Sequence, residues 1–168
     1  MFHFKQLKQH QSGFSIIEII IILLILSIGF LTMLQFYRLA ISQNTKQQNE
    51  DQAIYLASAG LEAVRQIRDR DWNILTGLAN NTSYQLRQIR QTDAPIIWQL
   101  VPGNETIGQF QRQITLGAVN RDSNANIITS GGTFDDETRQ INTTIIWQEA
   151  NQTRQINLST YLTAWTKY

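Results

Sequence analysis

The 168-residue sequence has no cysteine, which removes disulfides, thiolate nucleophiles and cysteine-bound zinc together. Histidine is nearly as scarce: His3 and His10 are the only two, and both precede residue 14. If that front segment is removed, no imidazole remains. A Ser-His-Asp triad, a histidine general base and an ordinary zinc site are then excluded. Charge is thin as well, with 16% charged residues, and 14 basic against 13 acidic side chains give a net +1. The arginines are scattered and no basic stripe alternates with stacking aromatics, so no direct nucleic-acid partner is expected. The acids are spread from Glu18 to Glu149, and no two stand out as the placed pair that carboxylate catalysis needs. No catalytic residue, cofactor or metal site is expected, and an enzyme is the weaker reading.

What the sequence does have is one long apolar run. Residues 14–36 read FSIIEIIIILLILSIGFLTMLQF, with a single charge at Glu18 and no proline. As a helix these residues extend roughly 34 Å, enough to span a hydrocarbon core. The run lacks strand alternation and is far too long for one strand. Residues 1–13, MFHFKQLKQHQSG, carry Lys5 and Lys8, no acid and too few apolar groups to enter a bilayer. A conventional secretory signal puts its cleavage site after the apolar region. Here a polar leader ends in glycine before that region begins. Lys5 and Lys8 are balanced by Arg38 and Lys46, so basic residues alone leave the orientation open. An acid inside an otherwise uncharged span marks function more often than accident.

Gly13-Phe14-Ser15-Ile16-Ile17-Glu18, following a short basic leader, resembles the class III signal of type IV prepilins and type II secretion pseudopilins. The resemblance implies that a prepilin peptidase cuts between Gly13 and Phe14 and N-methylates Phe14. It implies that the leader faces the cytoplasm and that Glu18, fifth in the mature chain, serves assembly. Loss of Lys5 and Lys8 would leave 12 basic against 13 acidic side chains, a net −1.

From Tyr37 to Asp71 the sequence is polar, has no proline and has Gly60 as its one glycine. Ala53, Leu56, Gly60, Val64 and Ile67 recur at spacings of three and four and form one apolar stripe. Glu62 with Arg65, and Arg65 with Asp69, are spaced for ion pairs on the helix face. One helix from Phe14 to about Asp71 is predicted. Gly29 lies inside the span and suits either close helix packing or simple tolerance.

Beyond Trp72 the pattern turns to short strands. Residues 76–95 are polar and read as a loop containing Asn80-Asn81. Strands are predicted over Ile96–Val101, ended by Pro102-Gly103, and from Phe110 to Leu116, where Arg112 interrupts the apolar face. Two more run over Arg139–Gln148 and Arg154–Leu162, joined by a hairpin loop of Glu149 to Thr153. Ile156, Leu158, Thr160 and Leu162 share one face. Residues 120–137 read as a turn-rich connection. In it Asp122, Asn124 and Asn126 have the opening spacing of a calcium loop, but Ile127 replaces its glycine and Thr133 its final glutamate. Trp72, Trp98, Trp147 and Trp165 suit core or sheet-edge anchors. The expected fold is α+β: a long N-terminal helix whose stripe packs on a small C-terminal antiparallel sheet.

The stretches QAIYLASAGLEAVRQIRDRDW and INTTIIWQEANQTRQINLSTYLTAW resemble PilV-type minor pilins, and the cysteine pair of many major pilins is missing. The implied organisation is a leader at 1–13, a transmembrane helix at 14–36, its amphipathic continuation at 37–71 and a β-rich head at 72–168. The implied role is that of a minor structural subunit of a type IV pilus or secretion pseudopilus. Its implied partners are the prepilin peptidase, other pilin or pseudopilin subunits, the inner-membrane assembly platform and the bilayer. The head would lie outside the cytoplasm, anchored by a single inner-membrane pass before entering the filament. The alternative is an adhesin or ligand-binding module displayed on a pilin stalk.

Overall fold

The computed structural model describes residue 13, residues 15–90 and residues 95–164. The predicted start of the helix at Phe14 and the anchor Trp165 lie outside them. Helix α1 runs unbroken over Ile16–Arg70. Its end is set locally. Asp71 is extended (φ −162°, ψ 114°) and its Oδ1 accepts a hydrogen bond from the Asn73 N–H at 2.9 Å, so it caps a short helix α2, Trp72–Thr76. The strands are β1 (Ser83–Ile89), β2 (Ile97–Pro102), β3 (Glu105–Ile107), β4 (Phe110–Arg121), β5 (Ile127–Ile128), β6 (Thr133–Glu149) and β7 (Gln152–Thr163). All pairings are antiparallel in one sheet of order β2-β1-β4-β6-β7, with β3 and β5 added on β4. The arrangement is α+β, as expected.

The chain divides into two units, residues 1–45 and residues 46–168. In the second, residues 46–70 of α1 lie on the sheet. Ala53, Leu56, Gly60, Val64 and Ile67 of the predicted stripe are buried, and Ala57 and Ala63 widen it. Val64 and Ile67 join Leu75, Tyr84, Leu86, Leu100, Ile114, Leu116, Ile141 and Leu162 in the larger core cluster. Ala53, Leu56 and Ala57 join Phe110, Ile145 and Trp147 in the smaller one. The Phe110 and Trp147 rings sit 5.8 Å apart in tilted contact. Gly60 marks a close approach of helix to sheet. A Cβ there would lie 3.0 Å from Thr143 Cγ2 and 3.3 Å from Arg112 Cδ. The helix propensity forfeited by a glycine, about 1 kcal/mol, is offset by the packing it admits.

Several expectations need correction. The stretch 76–95 is not a loop throughout, because it contains β1. Only Tyr84 and Leu86 of that strand are buried, and Ser83, Gln85 and Arg87 alternate with them on the outer face, so apolar content alone hid it. Half of the connection 120–137 is strand: β4 continues to Arg121, β5 pairs with its end and β6 begins at Thr133. The β6–β7 hairpin has a two-residue turn, not five. Ala150 (φ 47°) and Asn151 (φ 64°) are both left-handed between the paired Glu149 and Gln152. That is the primed-turn geometry that follows strand twist. Arg112 does not interrupt the β4 face; it is a buried member of it. Arg65 pairs with Glu62 at 3.1 Å, whereas Asp69 is held by Arg68. Trp147 is buried, and Trp72 and Trp98 pack half-buried against the larger cluster.

Candidate functional site

The site proposed from sequence lies at the start of α1. Ser15 closes the first turn: its carbonyl accepts hydrogen bonds from the N–H groups of Glu18 at 3.0 Å and Ile19 at 3.2 Å. Glu18 is therefore the third residue of the helix, where the positive end of the helix dipole favours an anion. Ser15-x-x-Glu18 also has the spacing of a capping box, in which the acid returns to the N–H of the cap residue. Gly13 is exposed, and a Cβ there would meet nothing within 4 Å. Phe14 lies outside the described residues. Gly13 and Glu18 thus fall within one short stretch at the mouth of the helix.

Downstream, the large apolar side chains from Ile16 to Ile41 are all exposed, and no part of the apolar window is buried. The helix is long and apolar enough to cross a membrane. Between Ile16 and Phe36 its hydroxyls are satisfied within the helix: Ser27 donates to the Leu24 carbonyl and Thr32 to that of Gly29, each at 2.8 Å. That economy suits a medium without water. After Glu18 the next charge along α1 is Arg38, about 30 Å away by helix rise. Among the described residues Glu18 makes no ion pair. A wholly exposed apolar surface with one carboxylate at its mouth is suited to lipid or to other apolar helices.

The sheet unit holds charged groups of a different kind. Arg112, which sequence reasoning treated as a blemish, is buried and donates to Glu105 Oε2 from Nη2 (2.6 Å) and Nε (3.1 Å). Its Nη1 donates to the Leu56 carbonyl of α1 at 3.1 Å, so one guanidinium ties β3, β4 and the helix together. Its partner Glu105 sits directly opposite on β3. The usable signal was a lone arginine on an otherwise apolar strand face, with an acid seven residues earlier. Arg139 is also buried, with Nε and Nη1 lacking any partner, and lies over the Phe134 ring at 5.5 Å. Arg121 binds Asp135 and the Thr138 hydroxyl, and its hydrogen bond holds the Asp135 carboxyl below the usual carboxylate range.

In the calcium-like segment, the Asp122 carboxylate accepts from the Asn124 N–H, the Asn126 N–H and Asn126 Nδ2. Those bonds, Asn126 foremost, lower its pKa. Its oxygens serve the turn itself. Among the described residues no three His, Cys, Asp or Glu side chains cluster as a metal site.

Residues 8–34 match the family described as the prokaryotic N-terminal methylation motif. The match covers the leader end, Gly13, Phe14, Glu18 and most of the apolar run, and it fits a class III signal prepilin. No curated protein and no solved structure matches the chain.

Proposed function

We propose that this protein is a minor structural subunit of a type IV pilus or a type II secretion-like pseudopilus, with no catalytic role. The observation that carries the reading is coincidence in place. The methylation motif falls on the one stretch where an exposed apolar helix opens with a lone acid. A prepilin peptidase cuts between Gly13 and Phe14 and methylates the new terminus. The helix anchors the chain in the inner membrane with the sheet unit outside the cytoplasm. The assembly platform then draws it into the filament among other subunits. Residues 1–13 are the leader, 14–36 the span, 37–71 its amphipathic continuation and 72–168 the head.

Glu18 acts in assembly through its charge. Cleavage leaves an ammonium on Phe14, and between packed helices water is scarce, so a carboxylate needs a cation. The neighbouring subunit's Phe14 supplies one. Loss of one partner of a buried ion pair costs on the order of 3–5 kcal/mol, because the other charge is stranded.

The capping-box spacing gives a competing structural role, and two variants separate them. Glutamine keeps the capping hydrogen bond and loses the charge, whereas Glu18→Asp keeps the charge. Each is expressed in cells that assemble the filament but lack the native copy. Intact mass should place the mature start at methylated Phe14 in every case. Glu18→Gln should be cleaved yet nearly absent from sheared filaments, and Glu18→Asp should be partly incorporated. Normal incorporation of Glu18→Gln removes the charge role. A chain that keeps Met1 beside an active peptidase removes the whole reading.

A further inference from the structure

Strand β7 is an edge strand of 12 residues, and among the described residues it pairs with β6 alone. The direction of its backbone groups follows from the register. Ala164 N–H donates to the Glu137 carbonyl at 2.8 Å, and positions 137 and 164 continue the register that pairs Thr138 with Thr163. In an antiparallel ladder, residues that exchange both hydrogen bonds alternate with residues that exchange none. The even-numbered residues of β7 therefore face β6. Thr153, Gln155, Asn157, Ser159, Tyr161 and Thr163 turn their N–H and C=O groups away from the sheet. The two-residue turn gives the same parity, because Gln152 flanks it in a hydrogen-bonded pair.

Proteins blunt such an edge with proline, lysine, a bulge, shortness or a covering element. Among the described residues β7 uses none of these. Its register with β6 has no shift, it has no proline, its one charge is Arg154, and every outward residue is exposed and uncharged. The opposite edge, β2, is half as long and ends in Pro102. On the helix side of β7, Ile156 and Leu158 remain half-buried against the smaller core cluster, so the core is unfinished at this edge.

We infer that β7 receives an extended segment of another subunit of the same filament as an additional strand. This rests on the proposed function. The row of unpaired amides and carbonyls has one chemical complement, an extended backbone. Beside Ile156 and Leu158 the incoming strand offers apolar side chains at every second position. Its other side is uncharged and polar, to lie beside Gln155, Asn157 and Ser159. A second copy of this chain is a poor occupant. Antiparallel pairing of two β7 strands about a two-fold axis normal to the sheet would reverse α1, whose residues 46–70 lie on that sheet. Successive copies in one filament repeat the same orientation and do not have that relation.

The test is amide hydrogen exchange at residue resolution on the full chain, in detergent and in sheared filaments. In detergent, Gln155, Asn157, Ser159 and Tyr161 should exchange freely while Ile156, Leu158 and Thr160 are protected. In filaments the odd positions should slow by on the order of 100-fold or more. Asn157→Pro removes only an outward N–H, which an edge strand tolerates. It should leave melting of the detergent-solubilised chain unchanged and lower incorporation, whereas Leu158→Pro should break the internal ladder and lower melting. A photo-crosslinker at Tyr161 in filaments should map to a stretch of another subunit. Assembled chains whose odd amides still exchange at the detergent rate overturn strand addition. Protection of those amides in detergent that rises with concentration, or crosslinks to this same chain, assigns the edge to a second copy and overturns the partner. Absence of the unmodified chain from filaments overturns the functional reading, and this proposal with it.

Discussion

The pair Glu105–Arg112 makes a sharp prediction, because removing its two ends should have unequal costs. Arg112 has a side chain 7% exposed, and Glu105 one 26% exposed. Replacing Glu105 with alanine leaves a guanidinium in the interior with only the Leu56 carbonyl for company. Stranding one charge of a buried pair costs about 3–5 kcal/mol. Water can reach the Glu105 side of this one, so about 2–3 kcal/mol is expected. Arg112→Met removes the buried charge, keeps the aliphatic stem that packs at Gly60 and leaves an acid that can turn to solvent. Its expected cost is about 1 kcal/mol. For a unit of this size, each kcal/mol shifts the midpoint by about 4 °C. The assay is thermal unfolding of the detergent-solubilised chain, followed by near-ultraviolet circular dichroism of the buried Trp147 and Phe110. Glu105→Ala should melt some 8–12 °C lower on that conversion, roughly twice or more the loss in Arg112→Met. The double variant should recover most of the Glu105→Ala loss. Equal costs, or a larger cost for Arg112→Met, would refute the argument that the stranded charge dominates.

Three further outcomes are expected. A chain beginning at Trp72 should not unfold cooperatively, whereas one beginning at Lys46 should. Leu56, Val64 and Ile67 each contribute roughly 1.5–3 kcal/mol of burial to the sheet, and matching calorimetric midpoints for the two chains would contradict that packing. Arg139→Leu should leave stability unchanged or raise it, because it removes a buried guanidinium with two unpaired nitrogens; a loss above about 2 kcal/mol in a denaturant titration would mean that the charge is compensated. Asp135 has a folded-state pKa below its ordinary 3.8, chiefly through its bond from Arg121. Its contribution is therefore complete above 3.8 and is lost as pH falls through the lower folded value. Hydrogen exchange near the start of β6 should accelerate over that acidic window in the native chain, and Asp135→Asn should exchange faster at neutral pH with a flatter acid response.

The parts of this fold legible in the sequence were those fixed by periodicity. The apolar run and the stripe at Ala53, Leu56, Gly60, Val64 and Ile67 specify one helix in two environments. Exposed apolar residues fill the run in the first part, and buried ones lie at the stripe in the second. Alternation gave β4, β6 and β7, and their shared inner face gave the sheet. The missed features were those where polar atoms carry the structure. β1 presents two buried apolar side chains among glutamine, serine and arginine, so burial of its face depends on β2 and β4, which no local pattern contains. Ala150-Asn151 lacks the glycine that usually announces a two-residue primed turn, so the strand ends on either side looked like loop. Arg112 looked like an interruption because its three acceptor contacts come from residues 7 and 56 positions away. The proposed site at Gly13, Phe14 and Glu18 rests on the opposite kind of signal: a glycine, an aromatic and a lone acid at the mouth of an uncharged span are local. An open edge is the hardest feature to read in this way. Nothing in QTRQINLSTYLT differs from a central strand of the same composition, and only the order of strands places it where its outward amides have no neighbour.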